Sequence, residues 1–186
     1  MDAFARSFRR AGLPVRMSQG FHPRPRFSLP VPLALGIEGL DEVLEIDLNC
    51  PLDADVLVEK LGQATPDGID ILSARPLEPG QKARPHSTTY RVYQKIDPQA
   101  VDRLLAGTEC RVKRRDGKEV DIRPFIKHVS PCDRGCEFEL LVTSAGTAKP
   151  REVVDELLGE DADPPPPMTR TAVNLEPSPN KELSGT

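Results

Sequence analysis

TYRVYQKIDPQAVDRLLAG, residues 89–107, decides how the fold is read. Thr89 to Ile96 reads as a strand, rich in aromatic and β-branched residues. Asp97-Pro98 follows at once, a capping carboxylate with proline at the first helical position. Val101, Leu104 and Leu105 then form an apolar stripe, and Gly107 ends the helix. Downstream, Glu109 to Arg115 reads as a strand and Asp116-Gly117 as a turn. Glu137 to Thr143 is another strand, with Phe138, Leu140 and Val142 on one face. Pro150 opens a helix with the stripe Val153, Val154, Leu157 and Leu158, stopped by Gly159. Thr169 to Leu175 reads as a last strand. The order strand–helix–strand–strand–helix–strand is the ferredoxin-like βαββαβ unit. Residues after Glu176 read as disordered.

Upstream, the same pattern is present but incomplete. Asp2 to Ala11 predicts a helix, with Phe4, Phe8 and Ala11 recurring at i, i+4, i+7. Arg26 to Leu33 predicts a strand confined by Pro30 and Pro32. In Val43 to Leu48, Leu44, Ile46 and Leu48 alternate with Glu45 and Asp47. Asp53 caps a helix to about Ala64, with Val56, Leu57 and Leu61 inward, and Ile69 to Ala74 predicts a strand. The expectation is therefore an α+β chain of two ferredoxin-like (βαββαβ) halves in tandem, the first lacking its N-terminal strand. The first half spans residues 1–75, a linker 76–87, the second half 88–175 and a tail 176–186. A strand ahead of the Asp2 helix is expected to be missing, either because the chain starts late or because another element closes the gap.

The chain has 186 residues, a net charge of −4 and a pI near 5.5, so it is not a uniformly basic nucleic-acid binder. Charge is unevenly spread, however. Between Met1 and Leu29 stand six arginines and one acid, Asp2. That asymmetry makes a local positive field which the net charge conceals. No apolar run approaches the ~18 residues of a membrane span, and Arg6, Arg9 and Arg10 interrupt any signal-peptide pattern. Four cysteines are too few and too irregular for a disulfide scaffold, so a cytoplasmic protein with reduced thiols is expected.

The positive field centres on GLPVRMSQGFHPRPRFSLPVPLALG, Gly12 to Gly36, which contains no Asp or Glu. Five prolines bias it to extended geometry. The residues expected to meet a substrate or RNA are Arg9, Arg10, Arg16, Ser18, Gln19, Gly20, Phe21, His22, Arg24 and Arg26, with Arg123 from a second basic element. Arg111, Lys113, Arg114, Arg115 and Lys118 precede that Arg123. Phe21 and Phe27 are the aromatics placed to stack bases.

FARSFRRAGLPVRMSQGFHPRPRFSLPVPLALGIEGLDEVLEIDL, residues 4–48, resembles the opening region of the radical SAM-linked protein family, a domain of unknown function. The motif runs from Arg9 to Pro14, then Ser18 to Pro23, Leu35 to Ile37 and Glu42 to Leu48. Asp121 to Ile126, DIRPFI, matches a second motif, and the likeness extends to about Leu175. The family carries a strand and a short His/Asp-containing turn before this helix. They are not present here, so no role of that turn carries over. The resemblance implies a radical SAM protein as partner, because such domains occur beside or fused behind one.

Cys132, Cys136 and Glu139 have the spacing of a radical SAM cluster motif, but carboxylate is a poor substitute for thiolate on iron–sulfur clusters. His128, Cys132 and Cys136 would share a helix face, which Pro131 and Gly135 oppose. No metal or other cofactor is expected. His22 is a weak candidate for catalysis, since the sequence shows no group to orient it. The function expected is a non-catalytic accessory module presenting RNA or a ribosome-associated substrate to a radical SAM partner. The alternative is a stand-alone RNA-processing enzyme using His22.

Overall fold

The computed structural model describes residues 2–78, 80–159 and 164–176. The tail expected to be disordered falls, beyond Glu176, outside them. In chain order the elements are α1 (Asp2–Arg10), β1 (Phe27–Ser28), β2 (Ile37–Gly39), β3 (Glu45–Ile46), α2 (Ala54–Gly62), β4 (Pro85–Val92) and α3 (Pro98–Ala106). Then come β5 (Arg111–Lys113), β6 (Glu119–Asp121), a 3-10 turn (Arg123–Phe125), β7 (Ile126–Cys132), β8 (Gly135–Leu141), α4 (Pro150–Leu158) and β9 (Met168–Leu175). The architecture is mixed α+β. Contacts divide it into two compact units: the chain up to Pro30 with Leu44–Lys82, and Val31–Val43 with the chain from Ala83 on. Among the described residues no helix is long and apolar enough to cross a membrane.

The second unit is built on a five-stranded sheet in the order β2-β9-β4-β8-β7. β2 runs parallel to β9, and the other neighbours are antiparallel. Strand–helix–strand–strand–helix–strand runs through β4, α3, β7, β8, α4 and β9. The second strand of that series is not Glu109 to Arg115, as the sequence suggested. β5 and β6 form a separate hairpin, and the sheet takes Ile126–Cys132 instead. Pro131 and the exposed Lys127 and His128 hide this strand in the sequence. At a sheet edge both features are tolerated, because one side of the strand needs no ladder bonds.

Expected apolar positions fill the core of this unit. Val92, Phe138, Leu140, Val153 and Val154 are fully buried, and Val101, Leu104 and Leu157 nearly so. Tyr90 stacks on Phe138 at 5.5 Å between ring centroids. Asp97 caps α3 through the Gln99 amide (3.0 Å).

The first unit does not repeat this arrangement. Among the described residues its sheet is β1 against β3, two residues each. Pro30 ends β1 early, having no N–H for a ladder. Ile69 to Ala74 forms no strand; only Ile71 of that segment packs on the core, and it has no strand partner. That core is Phe8, Val15 and Leu61, joined by Phe4, Phe27, Leu44, Ile46, Leu48 and Leu57. Val56, expected inward, is exposed, because α2 turns its Leu57–Leu61 side to the core. Gly12, at φ 61°, lets the chain leave α1, with the Leu13 amide bonding back to Phe8 O at 3.1 Å.

The stretch from Val31 to Val43, read as part of the first half, belongs to the second unit. A buried guanidinium holds it there. Arg170, 1% exposed, donates to Glu42 Oε1 at 2.7 Å and Val31 O at 2.7 Å, and it also bonds Glu42 Oε2. Nothing in the motif-level reading singled out this arginine.

Candidate functional site

The acid-free stretch folds back on itself as a hairpin. Met17 bridges Pro25, the Arg26 amide bonds Arg16 O at 2.8 Å, and the Ser18 amide bonds Arg24 O at 2.7 Å. In an antiparallel ribbon directly opposed residues share a face, as do residues two apart. Arg16 and Arg26 therefore lie on the same face as Ser18 and Arg24. The hairpin root is fixed to the β3 segment: the Arg16 amide reaches Asp47 O at 2.7 Å, and the Asp47 amide reaches Arg26 O at 3.0 Å.

That fixing separates the arginines into two kinds. Arg26 pairs with Asp47 at 3.1 Å, so the acids alternating along β3 take its charge. Lys82 adds to the same group, 3.6 Å from Glu45 and 3.9 Å from Asp47. Arg26, Ser28, Glu45, Asp47 and Lys82 thereby line a cleft of about 190 Å³ whose charges largely cancel. Arg16 and Arg24 are exposed and, among the described residues, neither pairs with a carboxylate. Arg9 and Arg10, also exposed, stand on α1 of the same unit.

The tip is Gln19 to Pro23. Gly20 sits at φ 128°, a conformation that side chains resist. Ser18 Oγ accepts from the Arg24 amide at 3.0 Å and closes the neck. Phe21 beyond it is wholly exposed, and His22, to which no described side chain hydrogen-bonds, is exposed too. Phe27, the other aromatic expected to stack bases, is instead part of the core: its ring lies 5.2 Å from Phe8 and 6.1 Å from Phe4. The structure thus brings Arg16, Ser18, Gln19, Gly20, Phe21, His22 and Arg24 together and gives Arg26 a different partner.

Arg123 lies in the other unit and has a structural occupation. Its guanidinium donates to Leu105 O (2.9 Å) and Gly107 O (3.1 Å), a cation set on the C-terminal carbonyls of α3, and to Ile126 O (3.0 Å) at the start of β7. Of the basic run before it, Arg111 pairs with Glu109 at 2.9 Å, Arg114 with Glu152 at 2.8 Å, and Lys118 with Asp116 at 3.8 Å.

Asp121 completes that lock, accepting from the amides of Cys110 (2.8 Å) and Arg123 (3.1 Å). The Cys110 amide above all holds its carboxyl below the usual range. The folded state prefers the charged form, so the stabilisation is present above the unfolded pKa of about 4 and is lost as pH falls through the lower folded value. Asp121→Asn is expected to lower the urea midpoint at neutral pH, and the gap from the native protein should close in acid. A gap independent of pH would contradict this role.

The face of the main sheet that alternates away from Tyr90, Phe138 and Leu140 is polar. Arg91 pairs with Glu137 at 3.0 Å and Lys127 with Glu139 at 2.9 Å, with Ser87 donating to the same carboxylate. Burial opposes charge on Glu139, but the Ser87 and Lys127 donors outweigh it and hold its carboxyl low. Sheet-face RNA binders stack bases on strand aromatics; here cross-strand ion pairs occupy those positions.

Cys136 is buried in β8 with its thiol pushed up to about 11 by burial, whereas Cys132 is exposed. His128, opposite Glu139, is on a strand rather than a helix. Among the described residues no three His, Cys, Asp or Glu side chains are placed to hold a metal. A second cleft, about 340 Å³, is lined by Arg103, Glu109, Cys110, Arg111 and Glu156. Burial, then Glu156, pushes the Cys110 thiol up to about 11, which leaves it a poor nucleophile.

Residues 1–151 match the model of a family described as an uncharacterized protein conserved in bacteria (DUF2344). No curated protein and no solved structure matches the chain.

Proposed function

We propose, from the premise that the chain belongs to the uncharacterized bacterial family DUF2344, that it is a non-catalytic module binding RNA on the hairpin of its first unit. One observation carries this reading. Arg16 and Arg24, without carboxylate partners among the described residues, flank a tip on which Phe21 is wholly exposed. Phosphates supply affinity to such a cluster, and an aromatic supplies a surface for bases. The resemblance to the radical SAM-linked family adds a partner: the module would present RNA, or a substrate associated with the ribosome, to a radical SAM protein that supplies the chemistry. His22 is exposed without a described orienting group, so a binding role is better supported than general-base catalysis.

The test is RNA binding by the full chain, followed by fluorescence anisotropy over a salt series. Native binding should weaken steeply as salt rises, since each neutralised phosphate releases counterion. Arg16→Gln and Arg24→Gln should each reduce the log–log salt slope by about 1. The double reversal Arg16→Glu/Arg24→Glu should abolish binding with the unfolding midpoint unchanged, because both side chains are exposed. Salt-independent binding, or no binding to RNA of any kind, overturns the reading and directs the search to an acidic protein partner.

A further inference from the structure

We infer that the hairpin tip takes an unpaired nucleotide: a base stacks on the Phe21 ring while Arg16 and Arg24 hold phosphates beside it, so the ligand is single-stranded RNA. This rests on the RNA reading above and narrows it.

The ring is available and already aimed. Phe4, Phe8 and Phe27 of the same unit pack on one another, whereas Phe21 is left entirely in solvent. Its backbone is held by the Ser18–Arg24 neck, by Gly20 at φ 128°, and by Pro23 and Pro25 with their fixed φ. A ring on a preset turn loses little freedom when it binds. The two unpaired arginines share one ribbon face and are offset by one two-residue step, about 7 Å along the strand. That is the scale of one step of an extended nucleotide chain.

A duplex fits this arrangement poorly. Its base faces are covered, and stacking on one requires a base step to be opened. The major groove of A-form RNA is too deep and narrow for side chains to read. A single strand has free base faces, and stacking on an aromatic tolerates every base. The acid-free run from Gly12 to Gly36 favours a polyanion over an apolar protein pocket.

The experiment compares a short fluorescein-labelled oligoadenylate with the same strand annealed to oligouridylate, both titrated with the full chain. The single strand should bind at least about tenfold more tightly. Phe21→Ala should weaken single-strand binding about tenfold, the effect of losing one stacked base, with thermal unfolding unchanged. The chain has no Trp, so Phe21→Trp reports on the tip alone. It should retain binding, and its emission should be quenched by the oligoadenylate.

Equal or tighter binding of the duplex overturns the inference. So does a Phe21→Ala variant that binds the single strand as well as the native chain. If Arg16→Glu/Arg24→Glu still abolishes binding in those cases, the RNA reading stands without the stacking. Failure of the native chain to bind either probe also overturns the inference, and the RNA reading falls with it when no other RNA binds.

Discussion

Gly135→Ala is expected to unfold the second unit or lower its melting temperature by about 10 °C or more. Gly135 is buried at the start of β8. A Cβ built there would lie 1.8 Å from Val92 O, 2.9 Å from Val92 C and 3.0 Å from Gln94 N. All three atoms are backbone, so no rotamer change relieves the clash. The strands must separate, and β4 and β8 are adjacent in the middle of the sheet, in register from Val92↔Cys136 to Ser87↔Leu141. Overpacking a tight interior typically costs about 1–3 kcal/mol, and a backbone clash in a central ladder belongs at or above the upper end. For a chain of this size each kcal/mol shifts the midpoint by about 2–4 °C. Gly62→Ala provides the contrast. Gly62 lies in α2 with nothing within 4 Å of an added Cβ, so alanine should be neutral or stabilising by up to about 1 kcal/mol. Thermal scans of the two variants followed by circular dichroism decide it. Equal midpoints would mean that β4 and β8 do not approach this closely.

Arg170→Met is expected to cost about 3 kcal/mol and to release the Val31–Val43 segment from the sheet. The guanidinium is almost fully buried and satisfies the Glu42 carboxylate and the Val31 carbonyl together. Burial disfavours its charge, but the hydrogen bonds to Glu42 and Tyr90 more than compensate, and its pKa is raised. Methionine fills much of the volume yet leaves the Glu42 and Val31 oxygens without their donor. Breaking a buried pair by removing one partner costs about 3–5 kcal/mol. Glu42 is 29% exposed on its side-chain surface, so water can recover part of its solvation and the lower figure applies. Arg170→Lys should rescue little, because an ammonium cannot fork onto a carboxylate and a carbonyl in the same plane. Limited proteolysis reads the local consequence, with faster cleavage between Val31 and Val43 in the variant. A cleavage pattern matching the native protein would show that the segment is held by β2–β9 pairing alone. In Glu42→Gln/Arg170→Met the cost should fall well short of the sum of the single changes, as expected for side chains in direct contact.

Much of the local structure was legible in the chain. Asp97-Pro98 marked the start of α3, Gly12 the end of α1, and Val153, Val154 and Leu157 the buried face of α4. These signals are local: a cap, a turn or a 3.6-residue stripe depends on residues within a few positions. The basic, acid-free stretch with Phe21 and His22 was visible for the same reason. Its hairpin form was not, because the backbone bonds that close it, from Ser18 to Arg24 O and from Arg26 to Arg16 O, leave no mark in composition.

Pairing choices were decided only by tertiary structure. Ile37–Gly39 could have served the first unit, yet it runs beside β9, where Arg170 waits for Glu42 about 130 residues earlier in the chain. Ile126–Cys132 displaced Arg111–Lys113 from the sheet, although the latter had the plainer strand signal. Phe27 and Phe21 lie six positions apart in one basic run, and the fold packed one, half-buried, into an aromatic cluster and left the other in water. Arg26, at the hairpin root, has Asp47 within reach, and Arg24, two residues nearer the tip, pairs with no carboxylate among the described residues. Periodicity and caps are properties of a segment, so the amino-acid order specifies them directly. Which strand edge, ring or carboxylate a segment meets depends on residues far away in the chain, and those partners exist for it only once the backbone has closed.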